Sequence, residues 1–448
     1  MKKSSSLNIY IMLILAALEI LMSFTFLGYF HIPPISITFA YIPVVMAAYL
    51  LGPAGAAVIG AVFGLASVYK ATASYVQPTD QIFSPFLSGR PLASFLLAVG
   101  ARVLFGFLIG LIFRAAKKSR HRKIWIGITG AIAPKFHGLL VYFAMRLLFP
   151  EIIRNYLMGY FFTWSDILAL VVCALLSEAL DTLSCSIGFR RFQGAINDSQ
   201  KHFDFANKRT PGFLSVITVF AIGMTVAAEF FFSDRTSVML ESHQMNISEE
   251  IRFDLTHLQI QFMMAVLSLN IILVIILKLS YQYVEYQRYI GELDVTTNVM
   301  GRRMFLSCCE KLQKDMQNRV GWFLFLDADY FKSINDTMGH PAGDQVLQEI
   351  AATLKHVLGN YGIIGRIGGD EFAMMISTPI RKEELEKRLD LFLAELAKRH
   401  FKNQKISCSI GVCSFTAPAD LPGLMNKTDQ ALYQAKNRGR ACYVILEK

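Results

Sequence analysis

The run Arg366-Ile367-Gly368-Gly369-Asp370-Glu371-Phe372 sets two carboxylates directly behind two glycines. Glycine lets a backbone come close to a phosphate, and adjacent acids can hold a hard cation. The flanks, residues 361–366 and 371–377, are apolar and β-prone, so the motif is predicted at the tip of a hairpin. On its own, a Gly-Gly turn with two acids is an ordinary hairpin. A second acidic cluster, Asp327-Ala328-Asp329, closes the apolar run Phe323-Leu324-Phe325-Leu326. If the two strands are neighbours, Asp327, Asp370 and Glu371 converge. Three such acids repel and raise one another's pKa unless a cation neutralises them. Oxygen donors beside a substrate phosphate suit Mg²⁺, and two ions would steady both oxygens of an in-line displacement.

The elements that must position these acids alternate along the C-terminal third. Helices are predicted at 302–317, 342–358, 381–399 and 421–437, with strands at 322–327, 406–415 and 442–446 around the hairpin. This is an α/β sandwich with a mixed sheet. The rest of the chain is different. Of the 448 residues, 54% are hydrophobic and only 17% charged, and the apolar ones crowd before about residue 279. Eight runs near spanning length occur at 7–30, 35–51, 52–69, 91–113, 124–148, 167–189, 213–232 and 260–277. This predicts an all-α polytopic membrane bundle.

Charge orients it. Lys2, Lys3, the cluster from Arg114 to Lys123, and Arg190, Arg191, Lys201, Lys208 and Arg209 all fall on one side. Eight crossings then put both termini in the cytoplasm, and the first run is a retained anchor. These loops account for the net charge of +10 without nucleic acid as a partner. The seven cysteines show no metal-ligand spacing, and Cys308-Cys309 is expected to serve packing. Seven ionisable residues within the runs, Glu19, Arg102, Lys135, His137, Arg146, Glu178 and Asp181, are costly in lipid; they form internal pairs or line a polar cavity for an unknown small molecule. Leu279, Tyr283, Tyr286, Ile290 and Leu293 repeat at 4-3-4-3 spacing, a seam suited to a homodimeric signalling helix. The domains expected are 1–205, a six-span sensor; 206–280, a transmembrane hairpin; 281–293, the linker helix; and 294–448, the α/β domain.

The signature from Asp327 to Leu347, with Arg366 to Phe372, closely resembles that of GGDEF-domain diguanylate cyclases over about 294–448. The resemblance implies a palm-like α/β domain with a central mixed, largely antiparallel sheet, and condensation of two GTP into cyclic di-GMP with release of two pyrophosphates. It implies two Mg²⁺ (or Mn²⁺) held by Asp327, the Ala328 carbonyl, Asp370 and Glu371, with Glu371 also beside the 3′-hydroxyl. Asn335 and Asp344 would read guanine, chemistry that an amide and a carboxylate can supply. Gly368 and Gly369 would admit the α-phosphate, Phe331 would join the substrate site, and Lys332, Lys436 and Arg440 would neutralise the outer phosphates. The retained Asp344 implies guanine at both substrate sites. Where the family carries its Arg-x-x-Asp product-inhibition site, this chain has Gly359-Asn360-Tyr361-Gly362, so feedback through that site is not expected. Residues 8–195 resemble the substrate-binding component of energy-coupling-factor transporters, in Ser36 to Val45, Leu51-Gly52-Pro53-Ala54-Gly55-Ala56, Phe83 to Gly89 and Arg102 to Gly106. The Ala-x-x-x-Ala docking face expected on the first helix is missing, since Ile20 and Leu21 follow Ala16 and Ala17, and this favours a sensor over a transporter. Two alternatives stand beside the cyclase: a non-catalytic GTP-binding receptor, and an uptake protein with a regulatory domain.

Overall fold

The computed structural model describes residues 6–32, 35–74, 76, 80–153, 164–206, 211–243, 248–316, 318–401 and 404–447. Two compact units divide the chain, Met1–Val284 and Glu285–Lys448.

The first unit begins with α1 (Ser6–Phe24), a hairpin of β1 (Tyr29–Ile32) and β2 (Ile35–Thr38), α2 (Ile42–Leu50) and α3 (Pro53–Lys70). Next, α4 (Pro91–Phe95) passes through a π-helical turn, Leu96–Gly100, into α5 (Ala101–Ala116). Then come α6 (Arg122–Leu148), α7 (Pro150–Ile153), α8 (Trp164–Cys185), α9 (Ile187–Ala206), α10 (Pro211–Ser242) and α11 (Glu249–Gly291). Among the described residues, seven helices are long and apolar enough to cross a membrane.

The run at 35–51 is the exception to the eight expected spans. It forms β2 and then the nine-residue α2, about 14 Å long and roughly half a bilayer core. The backbone N–H groups of Phe39 and Ala40 donate to the Gly28 carbonyl, so the chain turns before Pro43 opens the helix. At the far end of α2 the Tyr49 carbonyl accepts from Lys117 Nζ at 2.5 Å, beside the basic α5–α6 turn. The unit is therefore mostly helical, with one β-hairpin. Pro33, Pro34, Lys2, Lys3, Lys208 and Arg209 lie outside the described residues.

Glycine sets the tightest packing of this unit. A Cβ on Gly60 would lie 2.3 Å from the Arg102 carbonyl oxygen, and one on Gly106 2.3 Å from that of Ala56. Gly64 and Gly110 approach Val99 and Pro53 as closely, so α3 and α5 meet backbone to backbone through small residues four apart. Some of the ionisable residues in the apolar helices are paired and others are not. Asp181 accepts from Arg122 Nε at 2.9 Å and from the Tyr49 hydroxyl at 2.7 Å, and Lys135 pairs with Asp166 at 2.7 Å. By contrast, Glu19 Oε2, Arg102 Nε and His137 Nε2 are buried with no hydrogen-bond partner. Arg102 does donate through Nη1 to the Ala98 carbonyl within the π-helical turn, at 2.7 Å.

The expected seam on α11 differs from its periodicity. Leu279 is buried against Leu7, Ile196 and Ile275, with Tyr283 packed on the same cluster. Leu293 lies past the helix end, bridged to Met300. The five positions therefore do not form one continuous helical seam, because the membrane unit uses the upper ones and the helix ends before the last.

The second unit runs β3 (Met300–Gly301), α12 (Arg302–Met316), β4 (Val320–Ala328), α13 (Phe331–Met338), α14 (His340–Leu358), β5 (Gly362–Arg366) and β6 (Glu371–Ile376). It continues with α15 (Lys382–Ala397), the small pair β7 (His400–Phe401) and β8 (Gln404–Lys405), β9 (Cys408–Thr416), α16 (Leu421–Asn437) and β10 (Tyr443–Leu446). The six-stranded sheet has the order β10-β9-β4-β6-β5-β3. Its β4–β6, β4–β9 and β5–β6 pairs are antiparallel, while β9–β10 and β3–β5 are parallel. Two helical layers bury the sheet on both faces. Leu324, Leu326 and Phe372 pack with α14 and α15, and Phe323, Phe325 and Met375 pack with α12 and α16. Cys309 is fully buried in the second layer, as expected of a packing cysteine.

Candidate active site

The central strand β4 is buried on both faces to its end, and Asp327 stands at its last turn of register. Antiparallel pairing sets Asp327 opposite Glu371, the first residue of β6, and the Ala328 N–H donates to the Asp370 carbonyl at 3.2 Å. One sheet edge thereby gathers all three acids. Burial pushes the Asp327 carboxyl up, Lys436 pulls it back, and Asp370 and Asp329 raise it further. Glu371 is likewise raised, by burial first and then by Asp327 and Asp370. Lys436, on the last turn of α16, reaches Asp327 Oδ2 at 2.7 Å. Gly368 leaves room beside the acids, since a Cβ there would lie 2.4 Å from Glu371 Oε2, whereas Gly369 faces open space.

Arg366 holds the turn. Its Nε and Nη2 donate to the Gly369 carbonyl at 3.2 and 2.6 Å, and its Nη1 meets both Asp294 oxygens at 3.0 and 3.1 Å. Asp294 also caps Thr297, whose N–H donates at 2.8 Å. These contacts hold the Asp294 carboxyl below its usual range despite the opposing effect of burial.

On α13, Asn335 Oδ1 is buried without a hydrogen-bond partner. It lies against the start of α14, where a Cβ on Gly343 would come within 2.1 Å of it. Phe331 is half-buried against the core, and Lys332 and Asp344 are exposed on α13 and α14.

Residues 292–442 match the family profile described as diguanylate cyclase, GGDEF domain. The C-terminal unit carries a GGDEF domain. Diguanylate cyclase DosC of Escherichia coli K12 is 32% identical over 178 residues, 38% of this chain and 38% of DosC. Diguanylate cyclase DgcP of Pseudomonas aeruginosa is 34% identical over 172 residues, 36% of this chain and 25% of DgcP. The chain thus spans 38% and 25% of the lengths of these curated relatives. The solved coiled coil and GGDEF domain of DgcB from Caulobacter crescentus, in complex with c-di-GMP, is 24% identical, with a TM-score of 0.36 over 38% of this chain and 93% of that one. Residues 8–187 match the profile described as ECF transporter, substrate-specific component. With the long apolar helices, that match points to a membrane protein.

Within the GGDEF domain, the expected acids share one edge but do not form a finished ligand set. Among the described residues, no three acidic, histidine or cysteine side chains stand as a metal-holding group. The donor chemistry nonetheless fits a hard divalent cation, since the donors are oxygens, Asp370 raises the Asp327 carboxyl, and Asp327 and Asp370 both raise that of Glu371. Lys436, expected at the outer phosphates, pairs here with Asp327. Arg440 stands over the Tyr330 ring, its Cζ 4.9 Å from the centroid. Asp329, one residue past the metal candidates, is held by protein donors. Its carboxylate accepts from the hydroxyls of Ser407 at 2.8 Å and Ser409 at 2.6 Å and from the Ala441 N–H at 3.0 Å. The roles of Arg366 and Asp294 went unread in the sequence, although an arginine just ahead of the two glycines was the available signal.

Proposed function

We propose that the protein is a membrane-bound diguanylate cyclase that joins two GTP into cyclic di-GMP and releases two pyrophosphates. The observation that carries this reading is the convergence of Asp327, Asp370 and Glu371 at paired strand ends, together with a buried Asn335 oxygen that lacks a donor. Guanine offers N–H donors to such an acceptor, and Asp344 would complete its recognition. Asp327, the Ala328 carbonyl, Asp370 and Glu371 would hold Mg²⁺ or Mn²⁺, which supplies charge neutralisation at the transferring phosphate. The 3′-hydroxyl oxygen of one GTP forms the new bond to the α-phosphorus of the other. The bond from that phosphorus to the pyrophosphate oxygen breaks, and the proton leaves toward Glu371. Lys332 and Arg440 would bind the outer phosphates, with Phe331 flanking the substrate. Each domain holds one GTP, so the bond-forming site would be completed by a homodimer.

The N-terminal unit is read as a sensor in a bacterial inner membrane, with the N-terminus and the GGDEF domain in the cytoplasm. The buried, unpartnered atoms of Glu19, Arg102 and His137 and the π-helical turn beside Arg102 support a polar interior that a small molecule could address. The test is detergent-purified full-length protein with GTP and Mg²⁺, scoring cyclic di-GMP and pyrophosphate beside Asp370→Ala. Product that vanishes in the variant supports the cyclase. GTP binding with no product across dimer-permitting concentrations, in the full chain and in an artificially dimerised 294–448 fragment, would instead make it a GTP-binding receptor.

A further inference from the structure

The acidic cluster that closes β4 contains one carboxylate that points away from the reaction. Asp329 is 5% exposed, and its oxygens are taken up by Ser407 Oγ, Ser409 Oγ and the Ala441 N–H. Its own N–H donates to the Ser407 carbonyl at 3.0 Å. The Ala441 contact matters because of the backbone around it. Gly439, Arg440 and Ala441 have φ of 110°, 66° and 48°, so two consecutive non-glycine residues stand in the left-handed region. Such residues persist only where their surroundings over-determine them. The residue after Asp329 grips the same turn from the other side: Tyr330, itself at φ 57°, places its ring under the Arg440 guanidinium. Two adjacent residues at the end of β4 therefore fix Arg440 at its backbone and at its side chain. The same turn follows directly from α16, which delivers Lys436 to Asp327.

We propose that Asp329 is a positioning residue that fixes the Gly439-Arg440-Ala441 turn, and so sets recognition of the terminal phosphates of a nucleoside triphosphate. It does so through a buried carboxylate that bonds no ligand. The inference rests on the GTP reading above and names a determinant of that same site. A charged acceptor suits the task because charge-assisted bonds to a backbone N–H and two hydroxyls are stronger and shorter than neutral ones.

The test measures binding of GTP and of GMP, each with Mg²⁺, to the detergent-purified full chain. Asp329→Ala should weaken GTP on the order of tenfold and leave GMP unchanged, because GMP lacks the outer phosphates. Arg440→Ala should give the same GTP-selective loss, and the double variant should lose little more than either single one. Asp329→Asn, which keeps one acceptor oxygen for the Ala441 N–H while its amide can donate to a serine hydroxyl, should recover part of the affinity. Ser409→Ala removes one clip without threatening the fold and should give a smaller GTP-selective loss, about threefold. Equal loss of GTP and GMP in Ser409→Ala, no loss in Asp329→Ala, or losses at Asp329 and Arg440 that multiply would each overturn the proposal. Wild-type protein that binds neither nucleotide would defeat the GTP reading itself, a separate outcome.

Discussion

Glu371, the proton acceptor in the proposed reaction, bears a cost to the fold. Its carboxyl is raised by burial and by Asp327 and Asp370, so its contribution to folding stability is fully present below the ordinary glutamate pKa. That contribution is lost as pH rises through the elevated folded value. Glu371→Gln should therefore cut cyclic di-GMP formation by about a hundredfold or more while raising the metal-free melting temperature at pH 8 more than at pH 4. Melting curves at the two pH values, beside a turnover assay, check both signs. Gly343 separates function from stability in another way. A methyl group there meets the far end of the Asn335 side chain at 2.1 Å, which can swing aside. Gly343→Ala should leave stability within about 1 kcal/mol and weaken GTP binding roughly tenfold, through the loss of one buried hydrogen bond; calorimetry of unfolding and of GTP binding would show it. The apolar flanks made it readable in the sequence that Asp327 and the Asp370-Glu371 tip could meet as neighbouring strand ends, and β4 and β6 do pair there. They could not distinguish Asp329 from Asp327. That distinction depends on Ser407, Ser409 and Ala441, which β9 and the final turn bring from far along the chain.

Among the elements, the long apolar or strongly periodic ones were legible. Strand β4, the hairpin β5–β6 and α16 lie within a residue or two of the pattern that announces them. The misses share a cause. Helix α13 contains Ser333, Asn335, Asp336 and Thr337, which have weak helical preference, and it forms because Ile334 is buried and Phe331 packs on the core. Run 35–51 is apolar enough to span, yet a turn held by the Gly28 carbonyl and an early proline divide it into strand and short helix. Hydropathy counts apolar residues and cannot see such a turn. It also misses what holds α3 to α5. Gly60→Val would drive side-chain atoms into the Arg102 backbone, which cannot yield as a flexible side chain can. It should destabilise the membrane unit by at least about 2 kcal/mol. Gly138→Ala in α6, where a Cβ meets nothing within 4 Å, should be neutral or slightly stabilising. Thermal unfolding of both variants in the same detergent makes the comparison.

For the molecule as a whole, the shift in composition near residue 279 already announced two kinds of chain. The structure answers with two units, each with its own core. Residues 285–448 should therefore express as a soluble, cooperatively melting domain without detergent, as circular dichroism of the fragment would show; aggregation on release from the membrane half would contradict it. The boundary between the units falls inside one uninterrupted helix, Glu249–Gly291, rather than in a loop. A join of that kind constrains how such genes can be recombined. A loop tolerates crossovers of any length, but within a helix each added or deleted residue turns everything downstream by about 100°. Exchange of membrane halves between proteins built this way would leave descendants whose linker lengths cluster in steps of whole helical repeats.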